Sequence, residues 1–306
     1  MRDLRRGKNM LEKIRRYISD KECRFMFHKR LGLYNHMPDK AFLKLAYKAH
    51  MGSELHLDHP ITFNEKLQWL KLYDRKPEYT KMADKYEAKE YIADKIGAEY
   101  VIPTLGVWNK FEEIDFDKLP NQFVLKCTHD SGGLVLCKDK KDLDIEACRK
   151  KIERSLRANY YLNGREWPYK NVKPRIIAEK YMFEDNTGWL TDYKFFCFHG
   201  VPKILYVSKD KAEFPTTDFF DMDYNRLHMR MKDPNSQVPP PKPDQFETMK
   251  ELAEKLSEGI PHIRVDFYYI QNRIYVGELT FYHYSGFAKI QPEEWAIKMG
   301  DWIQIH

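Results

Sequence analysis

Hydrophobic and polar positions follow two rhythms along this chain, and the rhythm changes after its first third. In the first part, apolar residues recur every three or four positions, which is typical of amphipathic helices. The segment 39–52, DKAFLKLAYKAHMG, is predicted to be a helix that ends at Gly52. The segment 62–74, TFNEKLQWLKLYD, is predicted to be a helix that begins with a capping box from Thr62 to Glu65.

The second part alternates short runs rich in Val, Ile, Phe and Tyr with longer helical patterns. The strand-like runs are QFVLKCT, RIIAEKYMF, DYKFFCFHG, PKILYVS and the pair within HIRVDFYYIQNRIYVGELTF. Helices are predicted over residues 145–162 and 244–259. Short strands joined by turns and helices favour an α+β fold with antiparallel sheets.

Composition indicates a globular protein, because 306 residues with 42% hydrophobic and 14% aromatic content can form a substantial core. No apolar run approaches the roughly 18 residues that cross a membrane, and the N-terminus has no uninterrupted apolar centre like that of a signal peptide. We therefore expect a cytoplasmic protein. The net charge of +6 arises from many charges of both signs, so no nucleic-acid partner is predicted. The five cysteines form no C-x-x-C pair, which fits reduced thiols.

Residues 2–30 are the exception to the balanced charge, because basic residues far outnumber acidic ones there. Apolar residues also recur at helical spacing in this segment, namely Met10, Leu11, Ile14, Tyr17 and Ile18. One interpretation is a helix docked on the protein with a solvated charged face. The other is a helix that lies on an anionic membrane surface.

The last strand pair carries two acids within apolar runs. Alternation places Arg264 and Asp266 on one face of the first strand, and Val276, Glu278 and Thr280 on one face of the second. If the two faces coincide, the carboxylates converge and offer Mg²⁺ the oxygen ligands that it prefers. The alternative is an ion-paired hairpin in which Arg264 neutralises Asp266.

A second candidate for anion binding follows Lys126, which lies within the apolar run FVLKC. The next residues, THDSGG, include His129, Ser131, Gly132 and Gly133, and a glycine-rich turn directs backbone N–H groups toward phosphate. The turn does not match a P-loop. His129 either donates a hydrogen bond to phosphate or stabilises the loop.

The tripeptide Asp221-Met222-Asp223 offers a different chemistry. A D-x-D arrangement can bind the divalent metal and sugar nucleotide of a glycosyltransferase. Asp and Asn after a strand are also common turn residues, and we weigh that interpretation as the stronger one.

The order of these segments resembles the ATP-grasp superfamily, and more narrowly the family related to the teichuronopeptide biosynthesis protein TupA. The segments are TFNEKLQWLKLYD, ADKYEAKEYI, FVLKCTHDSGG, IIAEKYM, DYKFFCFHG, IRVDFYY and YVGELTF. The resemblance implies an ATP-grasp domain over 61–306 after a basic helical region over 1–60, with two α+β lobes that hold ATP around a hinge near 179–185.

Roles for individual residues also follow from the resemblance. Lys126 and the THDSGG turn would contact the phosphates of ATP. The resemblance assigns the hinge that holds adenine to Glu179, Lys180, Tyr181 and Met182, and Asp185 is also expected to bind the cofactor. Mg²⁺ would be held by Asp266, Glu278 and Thr280, although many ATP-grasp enzymes have Asn at the position of Thr280.

The implied activity is that of a carboxylate–amine ligase that works through an acyl phosphate. Arg264 would steady the transferring phosphate or the substrate carboxylate, and Lys194 would either reach the phosphates or be a solvated strand lysine. The expected partners are a carboxylate-bearing glycan or its precursor and a small amine or amino acid, in cell-surface polysaccharide assembly. The alternative is a metal-dependent glycosyltransferase that uses Asp221 and Asp223.

Overall fold

The computed structural model describes residues 12, 15–182, 190–209 and 215–305. Its helices are α1 (Lys21–Arg30), α2 (Asp39–Met51), α3 (Phe63–Tyr73), α4 (Glu78–Ala83), α5 (Ala88–Ile96), α6 (Ile145–Leu156), α7 (Tyr161–Gly164), α8 (Phe246–Ser257) and α9 (Glu293–Asp301). Its strands are β1 (Thr104–Trp108), β2 (Phe123–Cys127), β3 (Leu134–Cys137), β4 (Ile176–Lys180), β5 (Thr191–Phe198), β6 (Val201–Lys209), β7 (Thr216–Phe220), β8 (Arg230–Met231), β9 (Ile263–Ile270), β10 (Arg273–Thr280) and β11 (Ile290–Gln291).

The strands form two main antiparallel sheets, which confirms the predicted α+β class. The smaller main sheet has the order β1-β4-β2-β3, and the larger has the order β10-β9-β5-β6-β7. Strands β8 and β11 form a separate pair. Strand β9 is flanked by β10 and β5, so residues from distant parts of the chain become neighbours across the larger sheet.

Local sequence signals set several element ends as expected. Helix α3 begins at a capping box, because the Thr62 side chain accepts from the Glu65 backbone N–H and the Glu65 carboxylate accepts from the Thr62 backbone N–H. Helix α2 ends at Gly52, whose φ of +83° is the left-handed conformation that glycine adopts without strain.

Other elements differ from the sequence prediction. The helix predicted over 145–162 ends at Leu156, and the chain continues as the separate short helix α7. Strands β1, β3 and β7 were not predicted. Each has five residues or fewer, so its alternation is too brief to separate it from a loop.

Each main sheet has its own hydrophobic core. One face of the larger sheet packs on α8, where Phe195 and Phe267 contact a core that includes Phe246. The smaller sheet packs on α6, with Phe123 and Ile152 both fully buried. The opposite face of the larger sheet carries polar side chains beside buried aromatic ones, such as Phe196, whose ring contacts Phe63 of α3.

The N-terminal helices form a third core and dock on the rest of the protein. Phe25 and Phe42 are buried in this core. Arg165, which is 2% exposed, donates from Nη2 to the carbonyl oxygen of Tyr34 at 2.7 Å. Lys29 Nζ donates to the carbonyl oxygen of Asn163 at 3.1 Å. The residues from α1 onward thus follow the docked interpretation.

The segment predicted as one basic helix is interrupted within its described part. Residues 15–19 are helical, and Asp20 then caps a new helix by accepting from the backbone N–H of Cys23. Three of its apolar positions, Met10, Leu11 and Ile14, lie outside the described residues. None of the described helices has the length and apolar character needed to cross a membrane.

Candidate active site

Three neighbouring strands bring the predicted acidic and basic side chains to one face of the larger sheet. Asp266 on β9 pairs directly with Glu278 on β10 and with Lys194 on β5. Arg264, two residues before Asp266, pairs with Thr280 in the same way. The predicted metal and phosphate residues of this sheet therefore lie in two adjacent rows that run across the strands. One row contains Lys194, Asp266 and Glu278, and the other contains Arg264 and Thr280.

Val276 does not share this face, contrary to the alternation predicted from the sequence. A β-bulge lies between Val276 and Glu278, so Val276 pairs with Phe267 of the core face. Val276 is accordingly only 4% exposed. The bulge falls at Gly277, where an added Cβ would lie 2.8 Å from Tyr268 Cε2, so the close approach requires glycine.

Arg264 and Asp266 form a bidentate ion pair, as the ion-paired alternative proposed. Nε of Arg264 lies 2.7 Å from Oδ1 of Asp266, and Nη2 lies 2.6 Å from Oδ2. Nη2 also donates to Thr280 Oγ1 at 3.0 Å, and Nη1 contacts His283 Nδ1. Lys194 Nζ lies 3.6 Å from Oδ2 of Asp266. The pair is thus one part of a larger polar cluster.

Burial sets the protonation tendencies in this cluster. Desolvation raises the pKa of the Asp266 carboxyl even though Arg264 and Lys194 act to lower it. Desolvation, followed by the charge of Arg264, lowers the pKa of His283 well below its usual value, so its imidazole is neutral and Nδ1 accepts from Arg264.

Glu278 has a more open setting than Asp266. Its side chain is 35% exposed, and its Oε1 lies 3.8 Å from Nζ of Lys85. Burial raises its pKa, but the surrounding cations outweigh burial and hold the pKa below its usual value, with Lys85 the strongest of them. Lys85 Nζ also donates to the carbonyl oxygen of Asp130 in the THDSGG turn. One lysine therefore connects the turn with the acidic face.

The second part of the site is a cavity of about 280 Å³ between the two main sheets. Glu179 at its edge is almost fully buried and is bridged by two lysines, with 2.6 Å from Oε2 to Lys126 Nζ and 2.6 Å from Oε1 to Lys89 Nζ. Burial would raise the pKa of Glu179, but Lys126 and Lys89 outweigh it and lower the pKa. Lys180, Tyr181 and Met182 also line the cavity.

The same cavity is bounded on its other side by the larger sheet, through Asp192 and Tyr268. The structure therefore brings the predicted adenine segment together with the acidic face. Asp185, the remaining residue predicted to bind the nucleotide, lies outside the described residues.

The glycine-rich turn is held in place by internal hydrogen bonds. Gly133 N donates to Asp130 Oδ1 at 3.1 Å, and a Cβ on Gly133 would lie 2.4 Å from Ser155 Oγ, so packing alone requires glycine there. His129 is buried, and its Nε2 lies 3.1 Å from the carbonyl oxygen of Ser155. The side chain of His129 thus has the loop-stabilising role, while Ser131 is exposed next to Gly132.

The donor set fits a magnesium ion bound together with a nucleotide. Mg²⁺ commonly takes one or two protein carboxylates and completes its shell with phosphate oxygens and water. Glu278 is partly open, and Asp266 and Thr280 lie beside it. Among the described residues no group of three or more His, Cys, Asp or Glu side chains is arranged for a metal. The site suits Mg²⁺ carried by ATP better than a metal held by protein ligands alone.

The D-x-D segment is a turn in this structure. Asp221 Oδ1 accepts from the backbone N–H groups of Asp223 at 3.0 Å and Asn225 at 2.8 Å, and Oδ2 accepts from Asn225 Nδ2 at 3.0 Å. The carboxylate of Asp221 is therefore used by the turn, as the stronger interpretation expected.

Sequence reasoning missed several members of the site. Lys85 and Lys89 contact Glu278 and Glu179, and Asp192 lies 3.2 Å from Lys194 Nζ. The two lysines lie four residues apart within ADKYEAKEYI, a spacing that puts both on one side of a helical segment. That spacing is the sequence signal from which the two lysines could have been predicted to act together.

Comparison with known proteins gives one family. The model of the TupA-like ATP-grasp family matches residues 65–304. No curated protein matches the chain significantly.

Solved structures with some similarity include two D-alanine–D-alanine ligases. That of Bacillus anthracis is 17% identical with a TM-score of 0.39, and the match covers 65% of this chain and 57% of the ligase. That of Helicobacter pylori is 14% identical with a TM-score of 0.42, covering 79% of this chain and 69% of the ligase. N5-carboxyaminoimidazole synthetase of Staphylococcus aureus with ADP is 15% identical with a TM-score of 0.39, covering 73% and 52%. All these scores indicate only distant similarity.

Proposed function

Because the chain belongs to the TupA-like ATP-grasp family, we propose that it is an ATP-dependent carboxylate–amine ligase that joins a carboxylate to an amine as an amide. It is an ATP-grasp enzyme, and ATP and Mg²⁺ are the cofactors of its class. Its catalytic groups are those of the face shared by β5, β9 and β10.

One observation carries this proposal. The cavity that contains Lys126 and Glu179 is bounded by Tyr268 of the sheet that bears Asp266 and Glu278. If the adenine of ATP lies in that cavity, the phosphates of ATP are directed toward these carboxylates and the surrounding lysines. A nucleotide pocket beside an acidic metal site supports phosphoryl transfer.

The reaction proceeds in two balanced steps. A carboxylate oxygen of the acceptor attacks the γ-phosphorus, and the bond to the β-phosphate oxygen breaks to release ADP. The amine then attacks the acyl carbon, phosphate leaves with the electron pair of the C–O bond, and the amine loses a proton. Arg264 and Lys194 are positioned to neutralise negative charge during the transfer. Mg²⁺, held by Asp266, Glu278 and Thr280, would supply further charge neutralisation on the phosphates.

Hydroxylamine trapping tests the reaction class. With ATP, Mg²⁺ and a carboxylate acceptor, hydroxylamine in place of the amine is expected to give a hydroxamate and ADP in equal amounts. A product with a new glycosidic bond made from a sugar nucleotide, without ADP, would instead support the glycosyltransferase alternative. The variant Asp221→Asn serves as a control, because the turn role of Asp221 predicts retained hydroxamate formation.

The substrates that we propose are a carboxylate-bearing glycan or its lipid-linked precursor as acceptor and an amino acid as amine donor. This choice is supported by the relation of the family to a teichuronopeptide biosynthesis protein, which points to the attachment of peptide-like groups to surface polymers. Mass spectrometry of the product is expected to show one amide bond between a uronic acid and an amino acid. Amide formation only with simple amino-acid carboxylates would contradict the glycan assignment.

We also propose that the N-terminal region contacts an anionic membrane surface from its docked position. Ile18, Phe27, Leu31 and Leu33 are exposed by 66%, 50%, 60% and 62%, an unusual set of apolar side chains beside a basic segment. Vesicles that contain phosphatidylserine are expected to sediment with the protein at low salt and less so at high salt. The variant Phe27→Ser/Leu31→Ser is expected to weaken binding, and equal sedimentation of variant and wild type would contradict the proposal.

A further inference from the structure

A second and larger cavity, of about 710 Å³, lies between α1 and the segment 283–291 that follows β10. It shares no lining residue with the 280 Å³ nucleotide cavity. Nothing in the proposed reaction uses it so far, although its volume is ample for a small ligand.

The large cavity adjoins the catalytic face at two points. Tyr284 in its wall follows His283, which contacts Arg264. Tyr160 in its opposite wall accepts a hydrogen bond from Ser131 of the glycine-rich turn at 3.1 Å. A ligand in this cavity therefore reaches toward the place where a γ-phosphate would lie.

The cavity lining carries more basic than acidic side chains. Its acidic residues are already engaged, because Glu22 lies 2.8 Å from His50 and Glu166 is buried and interacts with the charges of Lys71 and Lys29. Within the described part of the chain, the cations of the lining form no ion pair with a carboxylate. These cations are Lys29, Arg230, Lys232 and Lys289.

Aromatic rings lie among these cations. Tyr160, Tyr284 and Phe287 line the cavity, and Lys232 Nζ lies 5.1 Å from the centre of the Tyr284 ring. Aromatic faces pack against the C–H surfaces of a ligand ring, while nearby cations pair with its anionic substituents. Together they match a ring-shaped ligand that carries carboxylates.

Buried donors hold the wall of the cavity in a fixed conformation. Tyr284 and Ser285 have φ values of +48° and +56°, which are strained for residues with side chains. Lys71 Nζ donates to the Ser285 carbonyl oxygen at 2.8 Å, and Asn64 Nδ2 donates to the Gly286 carbonyl oxygen at 2.9 Å. The wall is therefore preorganised, which lowers the entropic cost of binding.

From this combination we infer that the 710 Å³ cavity is the acceptor subsite and binds a carboxylate-bearing sugar. The inference rests on the proposed ligase function, because it identifies the cavity with the place where the acceptor waits for phosphorylation. Arg230 and Lys289, both exposed at the rim, pair with carboxylates of the acceptor. The rings of Tyr160 and Tyr284 pack against its ring.

Calorimetric titration of the full chain without ATP tests the subsite directly. The probe is trigalacturonate, and its fully methyl-esterified form is the neutral control. Wild type is expected to bind trigalacturonate, with much weaker binding of the ester. The variant Arg230→Gln/Lys289→Gln is expected to raise the Kd about 10-fold or more, since it removes two charge-assisted contacts.

A charge-matched control keeps the test specific. The variant Lys118→Gln/Lys242→Gln removes two exposed lysines outside the cavity, and its Kd is expected to stay within about twofold of wild type, because distant exposed charges are screened. An equal rise in Kd in both variants, or no binding of trigalacturonate to wild type, overturns the inference.

Turnover measurements separate this inference from the proposed function. Hydroxamate formation with unchanged acceptor KM in the Arg230→Gln/Lys289→Gln variant overturns the subsite and leaves the ligase proposal standing. Specific binding of trigalacturonate without any hydroxamate overturns the ligase proposal and leaves a carboxylate-binding cavity.

Discussion

At the scale of single residues, Asp266 and Glu278 are neighbours with different surroundings. Asp266 is 3% exposed and shares both oxygens with Arg264, whereas Glu278 is partly open and its contact to Lys85 is long, at 3.8 Å. A buried charge that loses its partner is strongly destabilising, while a loosely paired exposed charge contributes little. Removal of the carboxylate charge is therefore expected to lower stability at Asp266 and to leave stability nearly unchanged at Glu278.

We predict that Glu278→Gln lowers Mg²⁺-dependent ADP formation by about 100-fold or more while it changes the free energy of unfolding by less than about 1 kcal/mol. Asp266→Asn is expected to lose activity and also about 3 kcal/mol of stability, because Arg264 is left buried without its counter-ion. Urea unfolding and ADP release measure the two effects. Full activity of Glu278→Gln would contradict the proposed role of Glu278 in binding Mg²⁺.

Glu179 provides a prediction with a defined pH dependence. Its folded-state pKa lies below the ordinary value of 4.5, because Lys126 and Lys89 outweigh the opposing effect of burial. Its contribution to stability is then fully present above that value and is lost as the pH falls through the folded-state pKa. Glu179→Gln is expected to cost about 3 kcal/mol at neutral pH, and the difference from wild type is expected to shrink below that value.

Denaturant unfolding of both proteins at neutral and acidic pH checks this prediction. A constant difference between Glu179→Gln and wild type at all pH values would show that the effect does not come from the carboxylate charge. Glu112→Gln is a suitable control, because that carboxylate is 60% exposed and its loss should change stability little.

The residues with the clearest chemistry could be predicted from the sequence, and their partners could not. Lys126, Asp266 and Glu278 stand out because a charged side chain within an apolar strand is costly to bury unless it has a partner. That Lys89 shares Glu179 with Lys126 depends on how α5 packs against the smaller sheet. Such a contact joins segments about ninety positions apart, and no local pattern in the sequence specifies it.

At the scale of elements, the bulge in β10 decides which of its side chains lies beside Asp266. Regular alternation would place Val276 beside Glu278, and the extra residue Gly277 sends Val276 to the core while Glu278 stays beside Asp266. The alternation pattern is visible in the sequence. The bulge was not foreseen, because a single glycine within a strand has several interpretations.

We predict that Gly277→Ala destabilises the fold by about 1–3 kcal/mol and reduces ADP formation, because its Cβ would lie 2.8 Å from Tyr268 Cε2. The additional change Tyr268→Leu removes the atoms that the Cβ would meet and is expected to restore part of the stability. Thermal unfolding of the two variants measures this rescue. Equal stability of Gly277→Ala and wild type would show that the bulge accommodates a side chain.

At the scale of the whole molecule, the predicted boundary near residue 60 crosses a network of contacts. Asp39 forms an ion pair with Arg75 at 2.8 Å, and Arg165 donates to carbonyl oxygens at Tyr34 and Met37. The change from helical to strand-like patterning was predicted from the sequence, whereas this docking was not, because the donor and acceptors are more than a hundred residues apart. The basic region over 1–60 is thus integrated with the body along its described part.

We predict that deletion of residues 1–60 abolishes cooperative unfolding, because it exposes the core around Phe42 and leaves the buried Arg165 without its carbonyl acceptors. Thermal melts of the wild-type and truncated proteins provide the comparison. A stable, cooperatively folded protein without residues 1–60 would show that the two regions are independent domains.

The position of β9 inside the larger sheet has a consequence for synthesis on the ribosome. Strands β5, β6 and β7 are made first and can pair as a meander, but the outer edge of β5 stays open until residues 263–270 have been translated. Open strand edges attract other chains. A premature stop codon before β9 would therefore remove Asp266 and Glu278 and leave a fragment with an unpaired strand edge. We expect such a fragment to aggregate and to have no partial activity.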